Sequence, residues 1–286
     1  NAVIRDRYKG PEMARVMSFV MAVFILVPVI APSIGQVILI FFNWEAIFWM
    51  FLITALLVCI WFSIRLDETL LPESRQPLSF RKIRNGMIEV LKTRTALGYT
   101  LATGFLFSPF VGYLSSSQQI FADGYGKKDE FPLLFASLAL TFGVASLVNA
   151  RLVYRYGLKR LCFASVSVIT GLSGIFLLGI LGMDKMPPLW LFMGYMMIIF
   201  PGIGFLFGNL NALAMEPLGH IAGVGAAMIG SLSSLISIPL GILIAGAFNG
   251  TVLPLITGFS LCGLAVLFSI IWAEKNPQSK VVVENP

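Results

Sequence analysis

The chain has 286 residues, of which 57% are hydrophobic and only 12% charged, with a mean hydropathy of +0.88 and a net charge of +6. Charged residues make up about a quarter of an average soluble domain, so these proportions exclude a water-soluble globular protein and point to an integral membrane chain. The excess positive charge is accounted for by its distribution among loops, set out below, and no nucleic-acid partner is expected.

Eight apolar runs are long enough to cross a bilayer, near residues 16–42, 44–64, 96–121, 131–150, 161–182, 188–215, 221–248 and 251–273. A span needs about 20 helical residues. The runs are continuous rather than alternating, and only helices or closed barrels satisfy their backbone in lipid, so the fold class is an all-α membrane bundle. Arg5, Arg7, Lys9 and Arg15 precede the first span. Arg65, Arg75, Arg81, Lys82, Arg84, Lys92 and Arg94 follow the second, Arg151, Arg155, Lys159 and Arg160 the fourth, and Lys275 and Lys280 the eighth. Only Lys127, Lys128 and Lys185 fall on the other side. Positive residues stay inside, so both ends of this chain are expected in the cytoplasm. Cys59, Cys162 and Cys262 lie in different spans and read as inert thiols, and His220 stands alone, so no metal site is expected.

The first span carries VPVIAPSIG, Val27 to Gly35. Proline inside a helix costs about 3 kcal/mol. Pro28, Ala31, Pro32 and Gly35 share an arc of roughly 100°, which reads as a kinked seam closed by small residues. The fourth span offers a matching face in Ala136, Ala139, Gly143 and Ala150. Between the second and third spans, Phe80, Ile83, Met87 and Leu91 recur at helical spacing among basic residues, which predicts an amphipathic helix on the cytoplasmic headgroups.

The third span has a small-residue packing edge, Gly104, Ser108 and Gly112. Opposite it lie Tyr99, Thr103, Phe110, Tyr113 and Ser117, a face suited to a cavity or to hydroxyls that bond back to their own helix. Asn209 and Asn211 near the end of the sixth span are the strongest polar pair at membrane depth, facing the bundle interior or capping the interface. In the seventh span Gly223, Ala227, Gly230, Ser234, Ser237, Gly241 and Ala245 fall within about 80°, a small-residue stripe suited to close helix packing.

No Asp, Glu, Lys or Arg occupies the middle of a span, so a proton-coupling group of the usual kind is not among these helices. No nucleotide loop, HExxH or nucleophile triad is present either, and the chain is not expected to be an enzyme.

VPVIAPSIG resembles the antiporter motif of the fifth helix in the major facilitator superfamily: Pro32 and Gly35 match, while Ala31 and Gln36 replace glycines. ARLVYRYGLKRL is similar to the second copy of that superfamily's loop signature, with Leu152, Arg155, Gly157 and Lys159 matching and Ala150, Tyr154 and Leu158 departing. AVIRDRYKGPEMARVMS and NALAMEPLGHIAG look like the drug:proton antiporters of the bicyclomycin-resistance (Bcr/CflA) type. The resemblance implies helices five to twelve of a twelve-helix transporter. Residues 1–64 would be the remainder of the amino-terminal half, 65–95 the linker and 96–286 the carboxy-terminal half. The chain begins with Asn rather than Met and is expected to be amino-terminally truncated, which would leave the stripe from Gly223 to Ala245 exposed for an amino-terminal helix outside the sequence.

The function so implied is export of drug-like small molecules in exchange for protons across a bacterial inner membrane, by a monomer with no cofactor beyond the proton gradient. Tyr99, Thr103, Phe110, Tyr113, Asn209 and Asn211 are the expected cavity residues, and Pro28, Ala31, Pro32, Gly35, Ala136 and Ala139 the expected contact between halves. An importer of a polar metabolite is the alternative, disfavoured by the sparse polar set; an intramembrane enzyme or channel is the remaining one.

Overall fold

The computed structural model describes residues 30–65, 80–182 and 186–275, together with Val23 and Val27. Among them the chain is helical without strands: α1 (Ile30–Phe41), α2 (Glu45–Arg65), α3 (Phe80–Lys92), α4 (Arg94–Gln119), α5 (Phe131–Tyr156), α6 (Leu158–Ile180), α7 (Leu189–Met215), α8 (Ala222–Gly246) and α9 (Leu253–Glu274). Six segments are long and apolar enough to span a membrane; the longest, Leu189–Gly246, is two helices divided by a 3₁₀ turn at Glu216–Ile221. The spans follow the hydropathy pattern because each backbone must satisfy itself where water is absent.

Two compact units form. One contains residues 1–78 with Pro132–Leu140 of α5; the other contains Ser79–Phe131 and Thr141–Pro286. In the first, α2 is apolar all round and has no buried residue, as suits a helix facing lipid. Pro28 lies outside the described residues. Ala139 is buried and Ala136 half-buried, but a Cβ at Gly35 would meet nothing within 4 Å. The close approach expected at Gly35 is therefore not made in this conformation.

The second unit is organised around α4. Its small edge packs as expected: a Cβ at Gly104 would stand 2.9 Å from Ile236 of α8, and one at Gly112 would stand 2.8 Å from Ile244. On another side, Gly98 admits Ala273 of α9. Lipid offers no hydrophobic drive for helices to associate, so such close fits hold the bundle.

The α8 stripe divides. Gly223, Ala227, Gly230 and Ser234 are exposed, as expected, whereas Ser237 is buried, Gly241 is buried against α4 and Ala245 is half-buried. The buried row of α8 is Gly225, Ile229, Ser233, Ser237 and Gly241, spaced by four. A ridge of i±4 residues drifts across the helix, so it crosses the straight stripe only at its far end.

At the end of this unit that carries Arg94, Lys159 and Lys275, here the basic end, three helices are tied together. The Tyr99 hydroxyl donates to Glu274 Oε1 at 2.7 Å, and Lys159 Nζ donates to Glu274 Oε2 at 2.8 Å. Arg94 Nε donates to the Trp272 carbonyl at 2.7 Å, with its guanidinium 4.9 Å from the Trp272 ring centroid. Gly157 joins α5 to α6 at φ 80 and ψ 152, a backbone conformation open almost only to glycine. Helix α3 packs on the start of α8 through Gly86, whose Cβ would meet Val224 at 2.9 Å, and its Val90 is fully buried.

Candidate functional site

The candidate site is an aromatic wall in the second unit, built by α4, α5 and α7. Phe107 and Phe110 stand three residues apart on α4, and Phe200 and Phe207 seven apart on α7, so each pair shares a helix face. Phe142 joins them from α5. Gly204 of α7 brings it there: a Cβ at that position would lie 2.8 Å from the Phe142 carbonyl oxygen, so only glycine lets the two backbones meet so closely.

The rings interlock. Phe110 stacks on Phe142 at 6.0 Å with 16° between planes and meets Phe200 edge-on at 5.7 Å. Phe107 meets Phe207 edge-on at 5.3 Å, and Phe142 meets Phe207 at 6.1 Å. Tyr113 backs the cluster, fully buried, with its ring 5.1 Å from Phe200. The outer rings are open: Phe107, Phe110 and Phe142 are half-buried and Phe207 is 48% exposed. Such a wall offers ring faces and edges for stacking and for cations.

Toward the basic end lies an amide pair. Asn149 Nδ2 donates to Asn209 Oδ1, and Asn209 Nδ2 donates to Asn149 Oδ1, both at 2.9 Å. Asn209 is 4% exposed, and each amide retains a second N–H and a second lone pair. Interhelical bonds of this kind contribute about 0.6 kcal/mol on average in membranes and up to about 1.7. A double-mutant cycle on Asn149→Ala and Asn209→Ala is expected to give a coupling in that range by thermal unfolding in detergent; additive single losses would show that the pair does not join α5 to α7.

The residues expected at the cavity from sequence therefore part company. Phe110 is on the wall, Tyr113 lies behind it and Asn209 sits in the amide pair. Tyr99 is committed to Glu274 instead, and the Thr103 hydroxyl donates to the Tyr99 carbonyl at 2.8 Å. Asn211, two residues and so about 200° from Asn209, bonds back to the Phe207 carbonyl at 3.0 Å. Phe107, Phe142, Phe207 and Asn149 were not singled out. Asn149 could have been, since it lies near the end of its span as Asn209 does; phenylalanines number 24, too many for one to signal itself.

The loop-signature residues lie at the basic end. Leu152 is half-buried and Arg155 is exposed with its guanidinium 5.3 Å from the Tyr156 ring centroid. Gly157 makes the turn and Lys159 holds Glu274. A cleft of about 600 Å³ opens there, between the α5–α6 turn and the end of α7, and shares no residue with the aromatic wall. Among the described residues no group of His, Cys, Asp or Glu is arranged to hold a metal ion.

A family model described as Major Facilitator Superfamily matches residues 1–241. The chain belongs to the Major Facilitator Superfamily. It is thus a multi-pass membrane protein of a transporter family rather than an enzyme. It is similar to a bicyclomycin resistance protein homolog of Haemophilus influenzae, 27% identical over 288 residues that cover 98% of this chain and 70% of that protein. It is also similar to the uncharacterized MFS-type transporter YdgK of Bacillus subtilis, 29% identical over 82% of this chain and 58% of YdgK. A multidrug resistance protein MdtL from a Shewanella species is 24% identical over 80% of this chain and 57% of its own length. The chain spans between 57% and 70% of the length of these superfamily members.

Proposed function

We propose that the chain carries helices five to twelve of a monomeric exporter that moves drug-like, largely apolar compounds out of a bacterial cell by proton antiport. The half-open wall of Phe107, Phe110, Phe142 and Phe207 carries the reading. Rings with an amide pair at one end and no charged side chain among them suit apolar cargo better than a sugar or carboxylate. The relatives named for bicyclomycin and multidrug resistance favour the same reading. The membrane in question is the inner one, with both ends of this chain in the cytoplasm, as the loop charges favour. Residues 1–64, 65–95 and 96–286 serve as the remainder of the amino-terminal half, the linker and the carboxy-terminal half. No resident cofactor is needed beyond the proton gradient, whose coupling carboxylate we assign to parts of the relatives that this sequence does not cover. The two halves rock about a central site.

Expression of the full-length gene in a pump-deficient host is expected to lower its susceptibility to apolar aromatic drugs; unchanged susceptibility across such compounds would refute the export reading.

We place the seam between halves at Pro28, Ala31, Pro32 and Gly35 against Ala136 and Ala139. Pro132–Leu140 belongs to the same compact unit as residues 1–78, which favours this pairing. Because Gly35 faces open space here, Gly35→Leu is expected to leave the unfolding midpoint unchanged while abolishing export, through a seam that can no longer close. Full export by that variant would remove the seam from the mechanism.

A further inference from the structure

Helix α3 has a side that the bundle does not use. Its inner face is settled by Gly86 against the start of α8, by Val90, which is fully buried, and by Glu89, whose Oε1 lies 2.7 Å from His220 Nε2. Around the helix from that face, Ile83, Met87, Phe80 and Leu91 form one continuous apolar arc, and all four are exposed, Phe80 at 83%. Beyond the arc come Arg84, Arg81 and Lys92, all exposed. The one acidic residue of α3, Glu89, is the one turned to the protein.

The position of α3 identifies what covers this arc. The helix ends at Lys92 and the membrane-spanning α4 begins at Arg94, so one end of α3 is fixed where a span enters the bilayer. Its inner face touches Ile221 and Val224, where the spanning α8 begins. Both anchor points therefore sit where spanning helices leave the bilayer. We propose that α3 is a binding surface for anionic phospholipid: Phe80, Ile83, Met87 and Leu91 enter the acyl boundary while Arg81, Arg84 and Lys92 bind the headgroup phosphates. This does not depend on which compound is exported.

The test is hydrogen exchange of the Phe80–Lys92 amides in the full chain held in nanodiscs, comparing phosphatidylcholine alone with a mixture containing phosphatidylglycerol. Exchange is expected to slow several-fold in the anionic lipid, and the slowing to fade as salt rises past the point where surface charges are screened. Replacing Arg81, Arg84 and Lys92 by glutamine is expected to remove this several-fold lipid dependence, with the amides of α4 and α8 unchanged as the check on folding. The salt series on the unaltered chain decides the matter even if the triple variant folds poorly. Equal exchange in both lipids, or protection indifferent to salt, would overturn the proposal and assign the arc to a protein contact instead.

Discussion

Gly241→Leu is expected to disrupt the bundle where α4 and α8 cross. A Cβ at that position would stand 2.6 Å from Val111 Cγ1 and 2.9 Å from the Ser108 carbonyl oxygen. The valine can turn, but the carbonyl belongs to the backbone of α4 and cannot yield without moving the helix. Overpacking of this kind costs typically 1–3 kcal/mol, and the backbone contact places this site at about 3 kcal/mol. Thermal unfolding in detergent should show a clear fall in midpoint. Gly230→Leu is the control, on the same helix and in the same sequence stripe, but exposed and with nothing within 4 Å of its Cβ. A loss of stability equal in the two variants would mean that the crossing is not where the glycine matters.

The second large effect is on transport. Phe110→Ala and Phe142→Ala, made in the full-length transporter, each remove one ring of the stacked pair that faces the opening. Aromatic pairs contribute about 0.5–1.5 kcal/mol beyond the area they bury, and 1.4 kcal/mol is tenfold in affinity. Each variant is therefore expected to raise the KM for a planar aromatic substrate by up to about tenfold. Phe268→Ala, on an outward face of α9 at 72% exposure, should leave transport unchanged. If Phe110→Ala and Phe268→Ala transport alike, the wall does not bind cargo.

How much of this was open to reading differs by physical cause. Spans are visible because every residue in lipid obeys the same solvation rule, and the edge Gly104, Ser108, Gly112 is visible because close backbone approach admits few side chains. The α8 stripe was legible only in part. A stripe drawn along the helix assumes parallel neighbours, and the crossing with α4 follows an i±4 ridge that a single sequence does not display. Hydroxyls were the least legible. Thr103 and Ser117 fit a cavity-lining face by spacing, yet each bonds to a carbonyl of its own helix, Tyr99 and Leu114. A span can always offer such a carbonyl, so a serine or threonine there says little about what faces it. The wall itself was hidden by abundance, since rings become a site only when three helices bring them together.

The same habit of α4 bears on how the protein is made. Thr100, Thr103, Ser108 and Ser116 all return their hydroxyls to carbonyls one turn back. Their neighbours then meet small, nearly apolar surfaces. Yet the best window of this span has a mean hydropathy of only 1.2, against 2.0 to 2.5 for the others, while 61% of that window is buried. Among the described spans, the one least able to leave the translocon on its own merits is thus also the most buried. The helices its glycines pack against, α8 and α9, are synthesised more than a hundred residues later, so the packing of this centre is completed only once they have been made.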